Sequence, residues 1–83
     1  MKAYILITTK PGTSEEVVEY LKAASEVKGV VSADSVFGRY DAIITIETKD
    51  LNELSKVVYE VIEKIPNIMR TETCIVLFSE GKK

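Results

Sequence analysis

Histidine and tryptophan are absent from this 83-residue chain, and Cys74 is its single cysteine. One cysteine excludes an internal disulfide. A zinc site without histidine would depend on carboxylates and one thiol, a donor set that zinc proteins rarely use. The commonest general base of enzymes is also missing. We therefore expect no metal and no cofactor, and we favour a binding module over an enzyme.

A strong charge of either sign is missing too, since the net charge is −2 and the pI about 5.1. Nucleic-acid modules usually have a basic face and a basic pI, so we expect no direct nucleic-acid contact. The apolar run at residues 3–9 is too short for a signal-peptide core with a cleavage site or for a membrane span. The sequence therefore predicts a cytoplasmic protein without membrane contact.

Apolar residues are plentiful, at 46% of the chain. A domain of this length buries only a little over ~60% of its unfolded surface. Such domains usually need a disulfide, a metal or a partner subunit. With the first two disfavoured, we expect residues 1–83 to form one domain that self-associates.

Apolar periodicity predicts the element order βαββαβ. The first strand, Lys2–Thr9, is apolar on both alternating sets, which is typical of a strand buried on both faces. The second predicted strand covers residues 30–37 and has Val31, Ala33 and Phe37 on one side, and the third covers residues 41–48. The fourth covers residues 68–78. Cys74 is on one side of it, and the other side carries Met69, Thr71, Thr73, Ile75 and Leu77.

Two helices are predicted between these strands. Thr13 and Glu16 have the spacing of a capping box, as do Asp50 and Glu53. Gly29 lies where a left-handed helix cap is expected. The predicted apolar faces are Val17, Leu21, Ala24 and Val27 in the first helix, and Leu51, Leu54, Val58, Val61, Ile62 and Ile65 in the second, which ends before Pro66.

This order predicts an α+β fold, a ferredoxin-like βαββαβ sandwich in which both helices cover one face of a four-stranded antiparallel sheet. Each helix has only one apolar stripe, so the other face of the sheet stays open. Because part of the apolar strand surface lies there, we expect sheet-to-sheet dimers.

The fold alone does not decide the function. RNA-recognition domains of this topology stack bases on aromatic residues of the inner strands, and only Tyr4 is available here. Metal chaperones of this shape need two closely spaced cysteines. Acylphosphatase-like enzymes need a glycine-rich loop with an arginine. The first loop here, residues 10–13, is not of that kind.

Residues 37–41, Phe-Gly-Arg-Tyr-Asp, form the most informative segment. On a structural interpretation, Gly38 has a positive φ, Tyr40 packs at a sheet edge and Asp41 caps the turn. On a functional interpretation, Gly38 lets a small ligand approach the backbone. Arg39 then binds a carboxylate and Asp41 an ammonium group, as an amino acid would require.

Residues 70–73, Arg-Thr-Glu-Thr, allow two interpretations as well. Threonines and charges are typical of an edge strand. Alternatively, Thr71 and Thr73 face the same way and offer two hydroxyls to a ligand. Cys74 is a small core residue on the simplest interpretation.

Together these segments resemble the effector-binding (RAM) domain of the Lrp/AsnC, or leucine-responsive regulator, family over residues 3–78. The first strand is followed by Pro-Gly and a capped helix. Residues 36–42, VFGRYDA, look like the family's Gly-x-Tyr-Asp hairpin, and residues 65–73, IPNIMRTET, look like its Leu-Pro-Gly-Val-x-x-Thr-x-Thr run. Asn67 stands where glycine is usual and tolerates the same backbone region.

The resemblance implies homodimers that stack their sheets and assemble into higher, octamer-like rings. It also implies amino-acid effectors bound between dimers. The candidate ligand-binding residues that match the motifs are Gly38, Tyr40, Asp41, Thr71 and Thr73, and Arg39, at a variable position, is added for its charge.

Full members of the family carry an N-terminal helix-turn-helix, and here the βαββαβ unit occupies the whole chain. We therefore expect a stand-alone module without catalytic residues. It would bind amino acids and modulate transcription by co-assembly with full-length regulators, or only bind metabolite. The alternatives are an ACT-like small-molecule-binding module with side-by-side sheets, a small dimeric ferredoxin-like enzyme with a polar cavity between helices and sheet, and an interaction module without ligand.

Overall fold

The computed structural model describes residues 1–23 and 29–79. In chain order the elements are β1 (Lys2–Thr9), α1 (Ser14–Ala23), β2 (Val30–Ser35), β3 (Ala42–Glu47), α2 (Leu51–Glu60), a 3-10 turn (Ile62–Lys64) and β4 (Ile68–Ile75). The predicted order βαββαβ and the α+β fold class are confirmed. Ala24 and Val27, predicted on the apolar face of the first helix, lie outside the described residues.

The four strands form one antiparallel sheet in the order β2-β3-β1-β4. Alternate residues of the two inner strands are fully buried, namely Ala3, Ile5 and Ile7 in β1 and Ala42, Ile44 and Ile46 in β3. They share one apolar core with side chains from both helices, so the helices cover a single face of the sheet as predicted. The buried polar residues described are Thr9 and Thr48.

The predicted apolar face of the second helix is confirmed at Leu54, Val58, Ile62 and Ile65, which are all buried, but not at Leu51. Leu54, Val57 and Val58 are buried, whereas Leu51 is 54% exposed. The α-helix ends at Glu60, and a 3-10 turn then carries Ile62 into the core. The tighter turn shortens the α-helix relative to the prediction, but Ile62 and Ile65 still reach the core.

One predicted cap is present and the other is not. At α2, Asp50 Oδ1 accepts a hydrogen bond from the Glu53 amide at 2.9 Å, and Glu53 Oε1 accepts one from the Lys49 amide. At α1, Thr13 Oγ1 donates to the Lys10 carbonyl at 2.7 Å. The Thr13 amide bonds to the same carbonyl. The tight turn after β1 thus takes both groups that a capping box would use.

Strand β2 is shorter than predicted and carries a bulge between Val30 and Ser32. The bulge shifts the alternation, so Val30 and Ala33 pack against the core while Val31 is exposed. Phe37 lies beyond the strand and is fully exposed. Val31, Ala33 and Phe37 therefore do not share one side of the strand as predicted, because the bulge moves Val31 out of register and Phe37 lies outside the strand.

The face of the sheet without helices, here the helix-free face, is less apolar than predicted. Its centre contains Tyr4, Leu6 and Ile43, all half-buried. The register of β4 against β1 adds polar side chains beside them, because Tyr4 pairs with Cys74, Leu6 with Glu72 and Thr8 with Arg70. Cys74 is exposed on this face and not part of the core. Among the described residues, no helix is long and apolar enough to cross a membrane.

Candidate ligand-binding site

The connection between β2 and β3 is closed by the Val36 amide, which donates to the Asp41 carbonyl at 3.0 Å. Gly38 has φ +153°, which confirms the predicted positive φ. A side chain at Gly38 would meet no atom within 4 Å, so the backbone conformation and not crowding favours glycine there. The segment projects from the sheet with Phe37 in solvent.

Asp41 holds this hairpin against the end of β1. Its amide donates to the Ile7 carbonyl at 2.9 Å, and its Oδ2 accepts from the Thr9 amide at 2.9 Å. The β1–β4 register shifts between Thr8 and Thr9, and the carboxylate supplies the hydrogen bond that the Thr9 amide needs there. Asp41 therefore has the structural role of a turn-fixing residue, and one of its two oxygens is engaged.

Tyr40 contacts strand β4. Its hydroxyl donates to Glu72 Oε1 at 2.7 Å. That hydrogen bond, followed by partial burial and the charge of Glu72, raises the pKa of Tyr40 above 10.0, while the charge of Arg39 acts in the opposite direction. Tyr40 therefore stays protonated at neutral pH and remains a donor to the Glu72 carboxylate.

A depression of about 360 Å³ lies at this end of the helix-free face, and we call it the hairpin pocket. The volume is at the lower end of the range for small-molecule sites. Its walls combine hairpin residues with residues of two strands, namely Thr8, Arg39, Tyr40, Met69, Arg70 and Glu72.

Four of these residues, Thr8, Met69, Arg70 and Glu72, are additions to the site predicted from sequence. One signal for Glu72 and Arg70 was available, since both alternate with the threonines of β4 and so face the opposite side. Their position beside the hairpin depends on the β1–β4 register, which the sequence does not specify.

The two threonines lie on the other face of the sheet. Thr71 pairs with Ile7 and Thr73 with Ile5, so both side chains project from the face that carries the helices. Thr71 borders a surface depression with Glu63 and Ile68. Thr73 borders a shallow groove that also includes Leu51 and Tyr59 of α2. Within one subunit, the structure brings Arg39 and Tyr40 together and places the threonines across the sheet.

The model of the Lrp/AsnC ligand binding domain matches residues 2–81. The chain belongs to the Lrp/AsnC family. A 75-residue segment is 35% identical to an uncharacterized HTH-type transcriptional regulator, PH0140, from Pyrococcus horikoshii; it covers 88% of this chain and 44% of that protein. The crystal structure of hypothetical protein PHS023 from the same organism matches with a TM-score of 0.78 and 38% identity. The match covers 95% of this chain and 92% of the PHS023 chain.

A third relative carries the fold at lower identity. It is the transcriptional regulator NMB0573 of Neisseria meningitidis, solved as a complex with L-Met. The TM-score is 0.79 and the sequence identity 16%, and the match covers 98% of this chain and 52% of that regulator. The chain thus spans about half the length of this regulator and less of PH0140.

Family membership confirms the resemblance inferred from the two motifs. One departure from the Lrp/AsnC pattern also has a structural explanation, because Asn67 adopts φ +74°, the left-handed region in which glycine is usual. Its carbonyl accepts from the Lys10 amide at 2.9 Å, which ties the start of β4 to the end of β1. In the part of the chain that the structure describes, no group of three or more His, Cys, Asp or Glu side chains could hold a metal ion.

Proposed function

We propose that this chain is an amino-acid-binding and oligomerisation module that modulates transcription by assembling with full-length Lrp/AsnC regulators in the cytoplasm. The observation that carries this proposal is the hairpin pocket, which places charged and hydrogen-bonding side chains of the family's hairpin motif around a volume suited to a small molecule.

The relatives support the class of ligand. PH0140 is described as a transcriptional regulator, and NMB0573 was crystallised with L-Met. The layer between the helices and the sheet of this chain is packed with apolar side chains, which favours a binding module over the alternative of an enzyme with a polar internal cavity. An amino acid has one carboxylate and one ammonium group, and the pocket contains both arginine and glutamate.

The positions of the candidate residues favour a site shared between subunits. Arg39 and Tyr40 border the helix-free face, whereas Thr71 and Thr73 project from the other side. A ligand that contacts both sets takes each from a different subunit. We therefore keep Gly38, Arg39, Tyr40, Asp41, Thr71 and Thr73 as candidate residues of a site completed by assembly.

The helix-free face also favours dimerisation. Tyr4, Leu6 and Ile43 form a half-buried apolar strip at its centre. A second copy stacked on this strip would remove it from water, which stabilises a small domain with few other means of support.

Calorimetric titration with each of the twenty amino acids, L-methionine first, tests the proposal, with native mass measured in parallel. We expect one or a few of them to bind and to shift the oligomer distribution, because the shared site couples ligand binding to assembly. Absence of heat and of thermal shift with all twenty would overturn amino-acid binding, and a monomer at all concentrations would overturn the shared site.

A further inference from the structure

Two residues of β4 at variable positions of the second family motif border the hairpin pocket. Arg70 pairs with Thr8, and Glu72 pairs with Leu6. Both side chains are exposed on the helix-free face. The β1–β4 register therefore brings them to the same depression as Arg39 and Tyr40.

The pocket has two positive charges that are not directly paired with a carboxylate of the described residues. Among residues 1–23 and 29–79, neither the Arg39 nor the Arg70 guanidinium makes a hydrogen bond or an ion pair. Two like charges at one depression repel each other, and a bound anion relieves that repulsion. A guanidinium pair suits a carboxylate in particular, because its planar donors match the two carboxylate oxygens.

Glu72 is the negative group of the same pocket, and one hydrogen bond orients its carboxylate. Its Oε1 accepts the Tyr40 hydroxyl at 2.7 Å. A carboxylate has about four acceptor positions, so one phenol leaves room for an ammonium group. Asp41, the carboxylate predicted to bind the ammonium, does not border the pocket, and its Oδ2 is bonded to the Thr9 amide.

We propose that Arg70 and Glu72 complete the amino-acid site, with Arg39 and Arg70 binding the ligand carboxylate and Glu72, held by Tyr40, binding its ammonium group. This inference rests on the proposed function and names the groups that recognise the ligand. It also assigns the ammonium group to Glu72 in place of Asp41.

Crossed titrations of protein variants and ligand analogues test the assignment. The probe is the amino acid that binds most tightly among the twenty, together with its deaminated 2-hydroxy acid and its carboxamide. Wild-type protein should prefer the amino acid to both analogues by about tenfold or more, since each analogue loses a charged contact.

Each variant should weaken one preference and keep the other. Glu72→Gln retains an acceptor for Tyr40 but loses the charge, so it should weaken the amino acid by about tenfold or more and abolish the preference over the hydroxy acid. Arg70→Gln should reduce the preference over the carboxamide, because Arg39 remains at the pocket to bind the carboxylate. Glu47→Gln is the matched control, because Glu47 is exposed on the same face, at the Lys2 end of the sheet.

Three outcomes overturn the inference. The first is unchanged binding in Glu72→Gln and Arg70→Gln, and the second is an equal loss in Glu47→Gln. The third is loss of the preference for the ammonium group in Asp41→Asn but not in Glu72→Gln. In all three cases the wild type still binds an amino acid, so the proposed function stands. If the wild type binds none, both fail.

Discussion

The two faces of the sheet use the same strands for different purposes. The face covered by α1 and α2 contains fully buried aliphatic residues, of which Ile5 and Ile44 are examples. The helix-free face alternates with it and combines a half-buried apolar strip with the charged hairpin pocket. One face thus stabilises the fold, and the other leaves polar and apolar side chains accessible to solvent.

Neighbouring residues of one strand show how sharp this division is. Ile44 is fully buried, and Ile43, the preceding residue, is only half-buried because its side chain projects from the opposite face. Identical side chains one position apart therefore have different energetic roles, which allows matched experiments.

The largest effect is expected for Ile44→Ala compared with Ile43→Ala. Truncation of Ile44 leaves a cavity in the core and should lower the free energy of unfolding by about 2–5 kcal/mol. Ile43→Ala should cost clearly less at low protein concentration, measured by urea denaturation.

The protein concentration sharpens this comparison. If a second copy covers the helix-free face, the cost of Ile43→Ala rises with concentration while that of Ile44→Ala does not depend on it. Equal costs for the two variants in dilute solution would contradict the division between the faces.

A smaller effect is expected at the start of α2, one of the two helices that cover the apolar face of the sheet. Asp50→Ala removes the acceptor of the Glu53 amide and should cost about 0.5–2 kcal/mol. Thr13→Ala is the control at α1 and should cost less, because the Thr13 hydroxyl donates to the Lys10 carbonyl and does not cap a helix amide. Thermal denaturation measures both, and a larger loss in Thr13→Ala would show that the α1 turn is the more important one.

The smallest effect concerns the polar contact of the helix-free face. The raised pKa of Tyr40 means that the folded state holds this proton more tightly than the unfolded state. The resulting stabilisation is fully present below pH about 10 and is lost as the pH rises through the folded pKa.

Difference titration of tyrosine absorbance, wild type minus Tyr40→Phe, isolates this group. Glu72→Gln should lower its midpoint, because the hydrogen bond to the Glu72 carboxylate is the main cause of the shift. Glu47→Gln should leave the midpoint unchanged. A midpoint that does not respond to Glu72→Gln would mean that the Tyr40–Glu72 contact is not formed in solution.

Much of the fold could be predicted from local pattern. Strand β1 has the predicted bounds, since its apolar run ends at Pro11 and Gly12. The cap at Asp50 was predictable because its partner, Glu53, is three residues away. The positive φ values of Gly38 and Asn67 followed from residue types that tolerate them.

One error came from pairing with a distant strand and another from a competing local turn. Val31 is exposed because of a bulge against β3. The capping box at Thr13 is absent because the Thr13 hydroxyl and amide both donate to the Lys10 carbonyl in the preceding turn. For the site, the motifs indicated the hairpin and β4. They did not indicate that Thr71 and Arg70 project from opposite faces with only Arg70 at the hairpin pocket.

The sequence by itself determined the order of the elements and the family, because these depend on periodicity and on motifs of adjacent residues. Only the tertiary structure decided which side chains meet at the hairpin pocket. Tyr40 and Glu72 are 32 positions apart, and their 2.7 Å hydrogen bond depends on the register of β4 against β1. Register is set by long-range backbone pairing and by bulges, and a shift of one residue exchanges the two faces of a strand.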